Sequence, residues 1–356
     1  MGNLFVNIKS TIVIMSNNVK SLLSWATTIG AATMALLGNT LIHDSLVGVG
    51  IYDSLEKSLS TLVIVSLVLI IAYIIILFFV TLYKVYSGRL TTTIFKDRKI
   101  TILNGDVHQN FLYTINSNDF KKNYNEYIFI YPISMNGRAD RTWPNSPSNK
   151  LIGFLDRTFN KLLSEEHKPS AQIQKSIDEF MKNEKGRTTK PGSNIVDKID
   201  VKYKKEIPNF KESYPLEFGD MIESNVVLHD AYDRRFIINF LLVANYVDCD
   251  DMDYTFTHND IIISNCINYV ANLHQYKNLV MYLVGVHDYG MHLLNVFVSV
   301  INIFASIFTR YKQSGKGFVI KELTISCQKE DVDQWGVSFG QLEKYANTVS
   351  SYYKFK

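Results

Sequence analysis

The chain has little cysteine: three in 356 residues, Cys249, Cys266 and Cys327, an odd number with no CxxC spacing. That excludes a disulfide scaffold or zinc ribbon and fits thiols held in a reducing compartment. Net charge is also small, at +3, and no basic run is dense enough to neutralise many phosphates, which excludes a nucleic-acid binder. Catalytic signatures are scarce, since neither HExxH, GxGxxG nor the GK[ST] of a Walker A loop occurs. His287 with Asp288, and His229 with Asp230, are adjacent pairs, and adjacent loop side chains seldom face one site. The acidic group Asp248, Asp250, Asp251 and Asp253 lacks the Gly and terminal Glu of an EF-hand loop and reads as a solvated turn. No catalytic residue, metal or organic cofactor is expected.

Long apolar runs are what the chain does have. Residues 58–83 are 26 uncharged residues dominated by Leu, Ile, Val and Phe, enough at about 1.5 Å per residue to cross a hydrocarbon layer of roughly 30 Å. Upstream, residues 21–42 are uncharged and rich in Gly, Ala, Ser and Thr, the small residues that let helices approach closely in lipid. Two spans this close read as a retained hairpin over 21–86 after a cytoplasmic N-terminal segment, 1–20, rather than as a cleaved leader. The loop between the spans sets Lys57 against Asp44, Asp53 and Glu56, whereas Lys84, Arg89, Lys96, Arg98 and Lys99 follow the second span. The positive-inside bias then places both termini in the cytoplasm of a multi-pass inner-membrane protein. Residues 289–309 form another uncharged run of 21. A third crossing there would export Arg310, Lys312, Lys316 and Lys321, so a buried crossover helix is expected.

From residue 88 onward, short β-rich segments alternate with helical ones, the pattern of a mixed sheet flanked by helices in an α/β domain. Strands are expected near 100–107, 127–135, 216–222, 235–247, 278–286 and 322–327, and helices near 148–163, 258–273, 291–311 and 338–349. Residues 164–213 turn polar and Lys-rich, with three prolines, and read as a mobile insertion holding one short helix.

Three places can hold a ligand. The first is Gly105-Asp106, where an apolar strand ends in a turn: the carboxylate can accept from an amino group or a ribose hydroxyl at the carboxyl end of a sheet strand, or simply cap the next segment. The second follows the strand at Tyr131, where Ser134, Asn136, Gly137 and Arg138 open a loop dense in Asn, Ser and Pro that leads to a helix capped by Ser148. Its backbone N–H groups and Arg138 suit an anion or sugar, and surface packing around Trp143 is the competing reading. The third is Gly285, Val286, His287, Asp288 and Gly290, a turn between a strand and a long helix, the general geometry for a pyrophosphate.

In this order, ITILNGDV, YPISMNG with NSPSNKLIG, FLLVANYVD, VGVHDYG and ELTISC, after two N-terminal spans, the chain resembles the membrane-anchored macro-domain effectors of type II Thoeris antiphage systems. The resemblance implies a macro-like domain over 88–356 that binds an ADP-ribose-derived signal made by a partner NADase of Toll/interleukin-1-receptor (TIR) fold. It also implies a homo-oligomer that damages the bilayer. Carried over, Asp106 would contact adenine, Asn136 and its neighbours the distal ribose, and Gly285, Val286 and Gly290 the diphosphate. Met135-Asn136-Gly137-Arg138 departs from the Asn-rich, Gly-rich loop of many macro domains, so ADP-ribosyl hydrolysis is not expected. His287 and Asp288 also stand where small residues would be expected. A membrane-tethered hydrolase of ADP-ribose and a protein-binding membrane scaffold are the rival classes.

Overall fold

The computed structural model describes residues 65, 68, 71–80, 82, 89–95, 98–139, 147–161, 163–183, 215–230, 234–246, 259–283, 292–337 and 339–354. The expected first span and its loop lie outside them. Within the expected second span, Ile71–Val80 is an apolar helix with no buried residue, Ile76 and Phe79 being more than 60% exposed. The chain separates into two compact units between Ser87 and Gly88, with Ser338–Gln341 grouped with the first.

The second unit is built on seven strands: β1 (Arg89–Phe95), β2 (Arg98–Asn104), β3 (Tyr127–Ser134), β4 (Met221–His229), β5 (Arg235–Tyr246), β6 (Asn278–Tyr282) and β7 (Glu322–Cys327). Their order is β1-β2-β7-β6-β3-β5-β4. The five inner strands are parallel, and β1 and β4 pair antiparallel at the two edges. Composition explains the split. β3 and β6 are buried at every position, as strands covered on both faces must be, whereas β4 alternates buried and exposed residues, as an edge strand does.

Helices α1 (Val107–Ile115), α2 (Asn118–Asn123), α3 (Pro147–Thr158) and α4 (Pro169–Lys182) join β2 to β4. They pack Phe111, Phe120, Leu151, Leu155, Ile173 and Ile177 against Phe129, Tyr131 and Phe240 on one face of the sheet. Helices α5 (Asn259–Leu273) and α6 (Leu293–Gln313) are the crossovers from β5 to β6 and from β6 to β7; α7 (Lys329–Gln334) and α8 (Phe339–Lys354) follow. The buried stripe of α6, Leu293, Val296, Phe297, Val300, Ile301 and Phe304, recurs at helical spacing. As expected, the apolar run ending at residue 309 lies, from Leu293 onward, in a crossover helix between neighbouring parallel strands.

Four expectations need correction. The strand expected at 216–222 is β4, at 221–229. Leu216–Asp220 instead forms a turn in which Gly219 takes a left-handed φ of 88°. The segment from 164 to 183 is no insertion, because α4 puts Ile173 and Ile177 into the core at 0% exposure; residues 184–214 lie outside the described residues. Helices α1 and α2 were not foreseen. Nor was β1: the basic residues after the second span partly belong to the sheet. Arg98 donates to the Phe318 carbonyl at 2.7 Å and stacks 5.4 Å from the Phe308 ring centre.

The edge strand β4 carries its own protection. Gln172 accepts from the Val227 N–H (2.8 Å) and donates to its carbonyl (3.0 Å). Asn160 accepts from the His229 N–H (2.6 Å) and donates to the carbonyls of Val227 (3.0 Å) and His167 (2.6 Å). Two carboxamides thus stand in for a neighbouring strand, which blunts the edge against pairing with other chains.

Candidate functional site

Because the inner strands are parallel, their carboxyl ends share one edge, the place where open α/β sheets bind ligands. The exits of β2 and β3, which carry the first and second candidate groups, stand three strand spacings apart, about 14 Å. The exit of β6 at Leu283 falls between them. Gly285, Val286, His287 and Gly290 follow Leu283 and lie outside the described residues.

The Gly105-Asp106 turn is held from below. Asn110, buried on α1, donates to the carbonyls of Gly105 (3.1 Å) and Cys327 (3.2 Å) and to the Ser326 hydroxyl (2.8 Å), tying the ends of β2 and β7 together. A side chain on Gly105 would meet the Asn110 Oδ1 at 2.9 Å, so any larger residue there must displace the Asn110 amide. Nothing in the sequence pattern singled out Asn110. Asp106 occupies the cap position of α1, yet its side chain makes no capping bond, so the simple capping reading fails. Its carboxylate is 39% exposed and 3.9 Å from the His108 Nε2.

Asp106 opens on a cleft of about 440 Å³, also lined by His108, Lys150, Phe154, Arg157, Gln328 and Glu330. Lys150, Phe154 and Arg157 share one face of α3 by their spacing, and the His108 and Phe154 rings lie 5.3 Å apart. The cleft therefore combines two carboxylates, an aromatic wall and two cations, groups that can hold an amino-bearing base on the acidic side and an anion on the basic side.

The second group is built differently from expectation. Ser134 is fully buried, and its hydroxyl accepts from the Asn136 N–H at 3.2 Å. The N–H of Gly137 goes to the Ser134 carbonyl (3.2 Å), with a left-handed φ of 71° that favours glycine. The N–H of Arg138 goes to the Asn136 Oδ1 (2.8 Å), and that of Ala139 to Gln174 (2.8 Å). These four amides, read as anion donors, have protein acceptors, so what this loop presents are the side chains of Asn136 and Arg138.

Polar atoms without partners gather at the same edge. Among the described residues, the strand side chains with a buried, unpartnered oxygen are Asn104, Asn245 and Tyr282. They stand at the ends of β2, β5 and β6. Most buried polar groups are hydrogen-bonded, and three exceptions at three strand exits mark this edge as a place for a polar guest. Burial raises the Tyr282 phenol above its ordinary value, so it stays a neutral hydroxyl.

The thiols among the described residues are not activated. Burial pushes the Cys266 thiol up to about 12 and raises that of Cys327 as well, with Asp331 adding to the latter. Asp230 is paired with Arg234 at 2.6 Å in the β4–β5 hairpin. Gly336-Val337-Ser338-Phe339-Gly340 has the GxSxG spacing, but it follows α7 rather than a strand and so lacks the strand–turn–helix setting of a nucleophile elbow. Ser338 itself, like Asp248, Asp250, Asp251 and Asp253, lies outside the described residues. Among the described residues no cluster of His, Cys, Asp and Glu could hold a metal ion.

No family model matches the chain, and no curated protein matches it. Among solved structures it is similar to the macrodomain of Oceanobacillus iheyensis. A mutant of that protein shares 10% identity at a TM-score of 0.38, over 72% of this chain and 98% of the other. The form with ADP shares 10% identity at 0.37, over 72% and 97%. A mutant with ADPR shares 10% identity at 0.38, over 72% and 99%.

Proposed function

We propose that this chain is a membrane effector of bacterial antiphage immunity, whose macro-like unit senses an ADP-ribose-derived nucleotide at the carboxyl edge of its sheet. The observation that carries the reading is Asp106, a carboxylate at a strand exit, released from capping and facing an aromatic and cationic cleft. Adenine stacks on the His108 and Phe154 side of the cleft and donates its amino group to Asp106, while Lys150 and Arg157 balance phosphate. The diphosphate loop is Gly285 to Gly290, and Asn136 and Arg138 take the far ribose. A TIR-fold NADase supplies the signal, and the protein itself is no enzyme.

The exposed, wholly apolar Ile71–Val80 helix supports a membrane-spanning hairpin, because a helix that is apolar all round is suited to hydrocarbon and not to water. An effector that damaged its host constitutively would be lost. The signal therefore acts by binding the active homo-oligomer more tightly than the resting form and shifting their equilibrium.

Titration calorimetry of the full chain in nanodiscs against ADP-ribose tests the site. Saturable binding, with the nucleotide recovered intact, is expected. No heat would overturn the sensor reading, and a cleaved nucleotide would point to the hydrolase instead. A reporter fused after Lys356 should give a cytoplasmic signal, and a periplasmic one would overturn the topology.

A further inference from the structure

We infer that the sheet carries a second ligand site, at its amino edge, built for a free amino acid or another small molecule bearing one ammonium and one carboxylate. The ends of a strand the length of β2 lie about 20 Å apart, so this site is separate from the nucleotide cleft and does not depend on that reading.

The register places Lys99, Glu322, Asn278 and Tyr127 side by side across β2, β7, β6 and β3, all at their amino ends. They line a cavity of about 490 Å³ whose wall includes Asp119 and whose floor includes Thr101 and Thr324. This half of the face is polar where the rest of it is packed with Phe, Tyr and Ile.

Two buried side chains in it are unspent. Asn278 is 8% exposed and Thr324 6% exposed, and neither side chain has a hydrogen-bond partner among the described residues. Glu322 takes the Thr101 hydroxyl on Oε1 at 2.6 Å, which leaves Oε2 available. Asp119 accepts one bond on each oxygen, from Tyr127 at 2.5 Å and from Asn123 at 3.0 Å. Burial, then Asp119 and then Glu322 hold the Tyr127 phenol well above its ordinary value, which places both carboxylates near this one hydroxyl.

The free groups match one ligand chemistry. Glu322 Oε2, Asn278 Oδ1 and Thr324 Oγ1 are three acceptors, the number of N–H bonds on an ammonium. Lys99 and Lys321 line the same cavity, are exposed, and have no ion pair among the described residues, so they meet a carboxylate. The two cations and two anions of the lining cancel, which favours a zwitterion over a singly charged molecule.

Calorimetry of the full chain in nanodiscs against each standard amino acid, with methylamine and acetate as single-charge probes, tests the site. At least one amino acid should bind, neither single-charge probe should match it, and Thr324→Val and Glu322→Gln should each weaken binding about tenfold or more. Circular dichroism checks that both variants fold. Lys99→Met, an exposed position, serves as a further variant and should weaken binding too. The inference is overturned if no amino acid binds the wild-type chain, if methylamine or acetate binds as tightly, or if binding survives unchanged in the folded variants.

Discussion

Replacing Tyr282 by Phe separates stability from ligand binding at the carboxyl edge. The side chain is 4% exposed and packed in the core, and its hydroxyl has no partner among the described residues. A buried hydroxyl left without a hydrogen bond is unfavourable by about 1–3 kcal/mol. Its removal leaves the ring packing intact and should stabilise the fold by about 1 kcal/mol or more, once a small loss of contact around the missing oxygen is subtracted. For a unit of this size that corresponds to a rise of about 2–4 °C in Tm. If the hydroxyl meets the nucleotide, the same change should weaken ADP-ribose binding by about 0.5–1.5 kcal/mol, a factor of roughly 2–12. Thermal unfolding with and without ADP-ribose reads both effects: the variant should melt higher alone and gain less from ligand. A variant less stable than wild type would show that the hydroxyl is satisfied in the fold, and the reasoning from unpartnered atoms would be wrong.

Asp106→Ala should weaken ADP-ribose binding by about 1.5 kcal/mol, the low end for a charged hydrogen bond because the carboxylate is 39% exposed. Unchanged calorimetric affinity in the folded variant would reduce Asp106 to a turn residue. Asn110→Ala removes the amide's contacts with the Gly105 and Cys327 carbonyls and the Ser326 hydroxyl, leaving the Cys327 carbonyl with only its bond from the Gly105 N–H, so urea unfolding should show a loss of about 2 kcal/mol or more, and a neutral result would refute its role in tying β2 to β7. Asn160→Ala exposes the β4 edge and should both destabilise by a similar amount and promote self-association, read by light scattering; a monodisperse variant would argue against edge protection. Alkaline pH should also destabilise the fold. Cys266 ionises from 9.0 upward when unfolded but only near about 12 when folded. The folded state therefore holds more protons as pH rises from 9, and stability falls by about 1 kcal/mol per unit for each such buried thiol. Denaturant midpoints that stay level between pH 8 and pH 10 would contradict this.

By itself the sequence determined what depends on runs and periods. The apolar blocks in β3, β5 and β6 are strands because a strand covered on both faces is apolar along most of its length. The stripe in α6 is a crossover helix because its apolar residues recur every three or four positions. Gly105-Asp106 was readable as a strand exit for the same reason. Elements that hide few apolar residues were not readable. α4 is anchored mainly by Ile173 and Ile177 in a polar stretch, and β1 is a threonine-rich strand flanked by basic residues that mimic a membrane border. Tertiary structure alone decided which polar groups are spent. Asn110 and Asn160 look alike in the sequence, yet one ties two strands beneath the Asp106 turn and the other seals an edge. Tyr282, Asn278 and Thr324 have no side-chain partner among the described residues only because of how the tertiary fold sets them beside their neighbours, and hydrogen bonding between residues far apart in the chain has no local period to read.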